Sequence, residues 1–112
     1  MTNYALNLRS SSSAGDGLSV DLLGAKKAAL VLRAINHKLR QQILKIIDEK
    51  EKITVTELYM TLRLEQSVAS QHLAILRKAG FVNTSRQGKY IYYSINGARF
   101  KELNRFVDQL VN

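Results

Sequence analysis

The spacing of hydrophobic positions along the chain predicts a mainly helical protein that contains one β-hairpin. In several segments apolar residues recur every three or four positions, which is the spacing of one face of an α-helix. In the segment FVNTSRQGKYIYYSI, residues 81–95, the spacing shortens to two, which is the period of a β-strand. Because Gln87-Gly88 interrupts this segment with a turn sequence, we predict two strands joined as a hairpin.

The helical segments are arranged around that hairpin in the order helix, helix, short strand, helix, helix, hairpin, helix. The first helix is predicted over residues 18–35 and is apolar around most of its circumference, whereas the last, over residues 97–112, carries a single apolar stripe. Asn36 is a candidate N-cap for the second helix, and Thr54 with Glu57 has the spacing of a capping box for the third. Two helices joined by a short turn and followed by a basic hairpin predict a winged helix-turn-helix.

The helix predicted directly before the hairpin has two unlike faces. Its sequence, EQSVASQHLAILRKAGF over residues 65–81, places Ala69, Leu73 and Leu76 on an apolar face and ends at Gly80, a C-cap signal. The front of the helix carries short, uncharged, hydrogen-bonding side chains: Gln66, Ser67, Ser70 and Gln71. A helix that only packs in a core has no need of such a front, whereas a helix that lies in a DNA groove does.

The charge of the chain points to the same class of partner. Lys and Arg number 17 against 9 acidic residues among 112, which gives a net charge of +8. Between Gln66 and Lys101 there is no Asp or Glu. A stretch of one sign in a small domain favours a polyanion as partner, although a face that is merely solvated would have the same composition.

Composition also argues against several other classes of protein. The chain has no Cys, which excludes a disulfide framework and a thiolate metal site built from these residues. The longest apolar run, residues 28–32, is too short to span a membrane, and the N-terminus lacks the apolar core of a signal peptide, so we expect a cytoplasmic protein. Residues 1–17 are rich in Ser and Gly and are predicted to form a flexible arm, and residues 18–112 a single domain.

The helix-turn-helix and the hairpin together resemble the ArsR/SmtB family of bacterial winged-helix repressors. The resemblance runs from about Leu32 to Ile95 and rests on LRLEQSVASQHLAILRKAGFV and SRQGKYIYYSI. The positions that carry it are Leu64, Gln66, Ser67, Ser70, His72, Leu73, Leu76, Arg77, Ala79, Gly80, Gly88 and Tyr93. Two positions depart from the family's pattern: Arg63 stands where the turn commonly has Gly, and Glu65 where the family often has a Ser cap.

The resemblance implies that the protein binds double-stranded DNA with this helix in the major groove. Gln pairs bidentately with adenine, and Ser donates or accepts a hydrogen bond. We therefore expect base contacts from the front of the helix, by Gln66, Ser67 and Gln71, whereas Ser70 is expected to contact either a base or a phosphate. The alternatives are an N-cap for Ser67 and a simple surface position for Ser70. His72 either lies near the groove or packs inside the domain.

The hairpin is expected to act as the wing of this fold. Arg86 and Lys89 flank its turn and are expected to reach DNA phosphates or a minor groove. Arg77 and Lys78, near the end of the preceding helix, either contact the DNA backbone or complement the helix dipole.

One winged domain reads only a few base pairs, so we expect a homodimer whose two recognition helices stand roughly 34 Å apart on an inverted repeat. The first and last helices, about residues 18–35 and 97–112, supply the apolar surface for pairing, because a chain of this size has little else to cover them. The expected interface residues are Leu22, Leu23, Leu30, Phe100, Leu103, Phe106, Val107 and Leu110. The alternative is that they form the core of a monomer.

The metal ligands that the resemblance would imply are missing. The family's thiolate motif maps onto ITVTEL, where both Cys positions are Thr, at Thr54 and Thr56, and neutral hydroxyls are poor ligands for soft or borderline metals. The family's other site uses Asp and His pairs on the last helix, which here has Glu102 and Asp108 but no His. We therefore expect no metal and no cofactor, and the effector is a small metabolite, another protein, or absent.

The function expected from these features is sequence-specific regulation of transcription, as a repressor. An enzyme is not expected, because the sequence has no phosphate loop, no Cys nucleophile and no His with a recognisable Ser or Asp partner. A non-specific or architectural nucleic-acid binder is the alternative, but it would carry more Lys and Arg on the front of the helix. The basic wing argues against an interaction module that has lost DNA binding.

Overall fold

The computed structural model describes residues 5–9 and 17–112. Along these residues the elements follow in the order β1 (Ala5–Arg9), β2 (Gly17–Asp21), α1 (Leu22–Ile35), α2 (Lys38–Lys50), β3 (Ile53–Thr54), α3 (Val55–Leu62), α4 (Gln66–Lys78), β4 (Val82–Gln87), β5 (Tyr90–Ile95) and α5 (Gly97–Val111). The chain divides after Arg33 into an N-terminal unit, with β1, β2 and most of α1, and a C-terminal unit with the remaining elements.

The N-terminal unit contains an antiparallel hairpin that the hydrophobic pattern does not predict. β1 pairs with β2 along its whole length, and the register sets aliphatic side chains opposite one another on one face: Leu6 with Val20 and Leu8 with Leu18. Such cross-strand pairs stabilise a hairpin. Residues 5–9, expected within a flexible arm, are therefore a strand. The rest of the predicted arm up to residue 16, residues 1–4 and 10–16, lies outside the described residues.

The first helix begins later than the sequence pattern predicts. It starts at Leu22 rather than at residue 18. The Asp21 carboxylate accepts a hydrogen bond from the backbone N–H of Gly24 at 3.0 Å, as an N-cap side chain does. The residues before Asp21 belong to β2, because alternate aliphatic positions there pair with β1.

The C-terminal unit packs the apolar faces of α2, α3 and α4 together with a three-stranded antiparallel sheet. β5 is the central strand, with β3 on one side and β4 on the other. The largest fully buried side chains are Phe81, Ile43, Ile47, Ile53, Leu58, Leu73 and Leu76. α3, a short turn and α4 form the helix-turn-helix, and β4 with β5 forms the wing. The predicted winged helix-turn-helix, mainly α with a small β-hairpin, is confirmed.

Side-chain caps fix where the helices of this unit begin. Thr54 and Glu57 form the predicted capping box, in which the Glu57 N–H donates to Thr54 Oγ1 at 3.2 Å and the Thr54 N–H donates to Glu57 Oε1 at 3.4 Å. α2 is capped by His37, whose Nδ1 accepts hydrogen bonds from two backbone N–H groups of the first turn. The prediction of Asn36 as that N-cap is wrong, because the imidazole nitrogen of the next residue satisfies these donors instead.

Besides Glu51, the C-cap of α2 with φ 67°, three turns of the C-terminal unit contain a residue with a positive φ. Gly80 follows α4 with φ 88°, and Gly88, with Lys89, joins the two strands of the wing with φ 64°. The third is at Arg63, the C-cap of α3, which has φ 56° and ψ 45° although it carries a side chain. This left-handed conformation costs a residue with a Cβ about 1 kcal/mol, so the turn between α3 and α4 holds a small strain.

Replacing Arg63 with Gly is expected to raise the free energy of unfolding by about 0.5–1 kcal/mol, because Gly adopts a positive φ without the Cβ penalty. Urea denaturation followed by circular dichroism measures the change. Gly80→Ala is the opposite control, since a Cβ there would stand 3.0 Å from the Nε of Arg99 and would also have to adopt a positive φ. An Arg63→Gly variant no more stable than the original chain would show that this turn is unstrained.

Candidate nucleic-acid interface

α4 separates an apolar face from a polar one as its sequence predicts. Ala69, Leu73 and Leu76 are fully buried. The predicted base-contacting residues are all exposed and follow one another on the same side of the first two turns: Gln66, Ser67, Ser70 and Gln71. The structure therefore brings together on one surface the four side chains chosen from the sequence.

The first turn of α4 has no side-chain cap. Its N-cap residue is Glu65, whose side chain makes no capping hydrogen bond, and Ser67 is the second residue of the helix. The alternative role of Ser67 as an N-cap is thereby excluded, and its hydroxyl is exposed at the front of α4. The uncapped N–H groups and the helix dipole both favour an anion at this end.

The polar face of α4 continues into a shallow open groove. Ser70, Ala74, Arg77 and Lys78 of the helix line it, together with Tyr93 of the wing. Arg77 and Lys78 are exposed. A duplex that met the front of α4 would therefore find two cations farther along the same helix.

The wing presents its two predicted cations around the turn. Arg86 and Lys89 are both exposed. The Arg86 Nε donates to the carbonyl oxygen of Gly88 at 3.3 Å, and the Lys89 Nζ lies 5.5 Å from the centre of the Tyr90 ring. These contacts restrain long side chains that would otherwise sample many rotamers, so both cations are held near the tip of the wing.

A third cation, Lys52, contacts the wing and is not predicted by the sequence. It lies just before β3, and its Nζ donates to Gln87 Oε1 at 3.3 Å and stands 5.0 Å from the centre of the Tyr92 ring. The Tyr92 ring in turn meets the Tyr90 ring edge-on at 6.5 Å. The local sequence signal for this position is the short β-prone segment directly after Lys52. Because that segment pairs with β5 as strand β3, Lys52 lies next to the wing.

His72 packs within the C-terminal unit. Its Nδ1 lies 3.2 Å from the Nη1 of Arg40, and its ring lies 5.0 Å from the ring of His37. Burial, followed by the nearby basic groups His37 and Arg40, lowers the pKa of His72 below the ordinary value of 6.5. Of the two roles left open by the sequence, the observed contacts support packing.

The C-terminal end of α4 is held by residues next to and within α5. The Arg99 Nε donates to the carbonyl oxygen of Ala79 at 2.9 Å, and the Asn96 Nδ2 donates to the carbonyl oxygen of Gly80 at 2.8 Å. These bonds satisfy carbonyls that a helix end leaves without partners. They also fix the direction in which α4 leaves the core.

The predicted dimer-interface residues differ in exposure. Leu22, Leu23 and Leu30 are exposed on α1, and Phe106, Val107 and Leu110 are exposed on α5, Leu110 to 70%. Phe100 and Leu103 are half-buried, and the Phe100 ring packs 5.0 Å from that of Phe81. The far half of α5, towards its C-terminus, thus keeps an apolar face in solvent, whereas the half towards its N-terminus packs against the core.

The residues at the family's metal positions are occupied with other contacts. The Thr54 hydroxyl donates to Glu57 at 3.2 Å, Glu102 pairs with Arg99 at 3.8 Å, and Asp108 accepts from the amide of Asn112 at 2.9 Å. Within residues 5–9 and 17–112, no three His, Asp or Glu side chains come together as a metal site requires. No helix in the described part of the chain is long and apolar enough to cross a membrane.

Comparisons with known proteins identify relatives over most of the chain. The profile described as "Bacterial regulatory protein, arsR family" matches residues 37–84. The uncharacterized HTH-type transcriptional regulator MJ1325 of Methanocaldococcus jannaschii is 35% identical over 76% of this chain and 96% of its own. The transcriptional activator HlyU of Vibrio cholerae is 36% identical over 75% of this chain and 77% of its own.

A solved structure extends the likeness to three dimensions. The transcriptional repressor PagR of Bacillus anthracis superposes with a TM-score of 0.60 at 29% identity, covering 76% of this chain and 97% of that protein.

Removing the charge of Lys52 is expected to weaken binding to any DNA duplex alike. Lys52→Met keeps an apolar side chain over Tyr92 and removes one cation. If that cation meets a phosphate, affinity is expected to fall by about two- to fivefold at low salt, and the slope of log K against log salt is expected to drop by about one. Fluorescence anisotropy at several salt concentrations measures both. Lys45→Met, which removes the same charge from α2, is the control, and equal losses in the two variants would deny Lys52 a specific role.

Proposed function

This chain belongs to the arsR family of bacterial regulatory proteins and is a DNA-binding regulator of transcription, and we propose that it represses transcription from an inverted-repeat operator as a homodimer. The observation that carries this proposal is the exposed front of α4, which is polar and uncharged on a helix flanked by cations. Its relatives are named as regulators rather than enzymes. We expect it to act in the cytoplasm, where the DNA of a prokaryotic cell lies.

The front of α4 is the base-reading surface in this proposal. A major groove admits one helix, and the first turns of that helix meet the base edges. Gln66 and Gln71 have the amide that pairs bidentately with adenine, and the hydroxyls of Ser67 and Ser70 donate or accept according to the base. Uncharged side chains lack the charge attraction to phosphates that Lys and Arg have, so their place at the front of α4 favours reading of sequence over binding by charge alone.

The cations around this surface anchor the duplex. Arg86 and Lys89 lie on the wing, and Lys52 lies against it. Arg77 and Lys78 lie at the far end of α4. Contacts from Lys and Arg to phosphates position a protein on DNA without reading its sequence. Base-reading and anchoring are therefore assigned to different residues of the same unit.

Two copies of the chain are proposed to pair through their terminal helices. The exposed aliphatic and aromatic side chains of α1 and of the far half of α5 are the apolar surfaces that pairing would cover. Pairing would place the two copies of α4 roughly one turn of DNA apart, about 34 Å, which matches an inverted repeat. The exposed face of the β1–β2 hairpin adds to the apolar surface of the N-terminal unit.

Repression without a metal ion is proposed for this chain. Thr54 and Thr56 carry hydroxyls where thiolates would be required, and α5 has no His. We propose that no cofactor is bound and that release from DNA depends on another kind of signal, a small molecule, a protein or the conditions of the cell.

Selection of randomised duplexes on the purified protein tests the proposal. An enriched inverted repeat with a spacing of about one turn, bound far above random DNA, is the expected result. Tight binding that falls steeply with salt and enriches no motif would mean that the charge alone acts, and the protein would then be a non-specific or architectural binder.

Once an operator is defined, Gln71→Ala is expected to relax the base preference under α4. The ratio of specific to random binding is expected to fall by about five- to a hundredfold, because one bidentate pair carries about 1–3 kcal/mol of discrimination. Lys89→Ala is the matched control and is expected to weaken all sequences alike. Competition binding with operator and scrambled duplexes gives both ratios. A Gln71→Ala variant that kept its full ratio would remove this residue from base reading.

A charge on the exposed face of α5 is expected to break the dimer. In Leu110→Glu the loss of apolar burial alone, about 1.5–3 kcal/mol for a leucine, raises the dimer dissociation constant at least tenfold. Sedimentation equilibrium measures this constant, with Gln109→Glu as the control of equal charge on the adjacent position. If both variants stayed as dimeric as the original chain, the interface would lie elsewhere.

A further inference from the structure

A buried arginine joins α4 to the helix behind it. Arg40 of α2 is only 7% exposed. Its Nε donates to the carbonyl oxygen of Ala34 at 2.6 Å, and its Nη1 lies 3.2 Å from the Nδ1 of His72 on α4. Since a guanidinium only donates, the His72 Nδ1 must accept, and the proton of the neutral ring is then on Nε2.

The second histidine of the chain also uses its Nδ1 as a hydrogen-bond acceptor. His37 Nδ1 accepts hydrogen bonds from the backbone N–H groups of Leu39 at 3.2 Å and Arg40 at 3.4 Å, and so caps α2. Its ring lies 5.0 Å from that of His72, tilted by 45°. Both imidazoles therefore use Nδ1 as an acceptor, and a proton on either Nδ1 would remove a bond that the structure contains.

The groups around His72 oppose a positive charge on it. Burial is the largest cause of its lowered pKa, and the nearby basic groups His37 and Arg40 act in the same direction. α3 and β4 also pack against α4. Their charged groups are engaged elsewhere, since Glu57 of α3 is bound to Thr54 and Arg86 of β4 is bound to Gly88.

His72 directly follows Gln71 in α4. A change in how His72 packs against α2 is therefore expected to shift the first turns of the helix, which carry Gln71. We propose that Arg40 and His72 are positioning residues that hold α4 in its DNA-binding orientation while His72 is neutral, and that uptake of a proton by His72 lowers the affinity for DNA. This inference rests on the proposed function, and it makes acidification the signal that releases the operator. The proton adds to Nδ1, which ends the hydrogen bond from Arg40 and sets two cations against each other.

The direction of the pH dependence separates this role from a DNA contact by His72. Because the pKa of His72 is lowered in the folded protein, the orientation it supports is complete above the ordinary histidine value of 6.5 and is lost as the pH falls below that value. A histidine that contacted a phosphate would behave in the opposite way, since its positive charge would strengthen binding in acid.

The test is the affinity for duplex DNA between pH 7.5 and 5.5, compared between the original chain and His72→Asn. Asn places an amide oxygen where Nδ1 accepts from Arg40, but it does not titrate. We expect the two proteins to bind DNA with equal affinity at pH 7.5. At pH 5.5 the original chain is expected to bind about three- to fivefold more weakly than His72→Asn, since a single proton whose uptake opposes DNA binding changes the affinity at most tenfold per pH unit. His37→Asn keeps an N-cap and is expected to retain the pH dependence. Circular dichroism at each pH confirms that the chain stays folded.

An affinity that rises on acidification relative to His72→Asn, or that follows the same profile as this variant, would overturn the inference. Arg40→Lys provides a second check, because an ammonium cannot span the Ala34 carbonyl and the His72 ring with the geometry of a guanidinium. It is expected to lower affinity at pH 7.5 and to weaken the pH dependence.

NMR titration of the two imidazoles, without DNA, separates this inference from the proposed function. We expect His72 to titrate below 6.5 and to show the Nε2–H form when neutral, with His37→Asn assigning the signals. A His72 that titrates at its ordinary value with mixed tautomers would refute the positioning role even if the operator were found. A lowered value in a chain that selects no DNA sequence would refute the proposed function alone.

Discussion

The burial of one face of α4 is the constraint on which the rest of the molecule depends. Ala69, Leu73 and Leu76 are fully buried, and a buried leucine contributes about 1.5–3 kcal/mol through its apolar area. Rotating α4 about its axis would expose these side chains, so the opposite face, with Gln71 at its centre, has to point outward. The same burial that stabilises the unit thus sets the direction of the side chains proposed to read bases.

Burial alone fixes the rotation of α4 but not the position of its ends, which depend on polar contacts from other elements. Before the helix, Arg63 turns the chain in a left-handed conformation and gives the angle between α3 and α4. After it, Arg99 and Asn96 bind the last carbonyls. Along its middle, His72 meets Arg40 of α2. Hydrogen bonds to charged groups in a part-buried setting are stronger and more directional than apolar contacts, so these residues restrict the position of α4 more narrowly than burial alone would.

Features that depend on neighbours in sequence are the ones that the sequence predicts well. The capping box of Thr54 and Glu57, the glycine turn of the wing and the two faces of α4 all follow from spacings of a few residues, and all are confirmed. Lys52 and Gln87, or Arg40 and His72, are more than thirty positions apart, and only the packing of the unit brings them together. The first hairpin escapes prediction for a related reason, since each strand has only five residues and two alternating aliphatic positions, and pairing is what identifies them as strands.

The distribution of charge over the C-terminal unit explains how a small domain can separate affinity from specificity. Phosphate contacts act through charge and are weakened by salt, whereas base contacts depend on the geometry of uncharged donors and acceptors. In the proposed complex the first kind comes from lysines that lie over the rings of Tyr90 and Tyr92, and the second kind comes from the front of α4. A positive charge placed beside Gln66 and Gln71 would raise the affinity for every DNA sequence and reduce the ratio of specific to non-specific binding. The absence of Lys and Arg from the first turns of α4 is therefore as informative about function as their abundance around it.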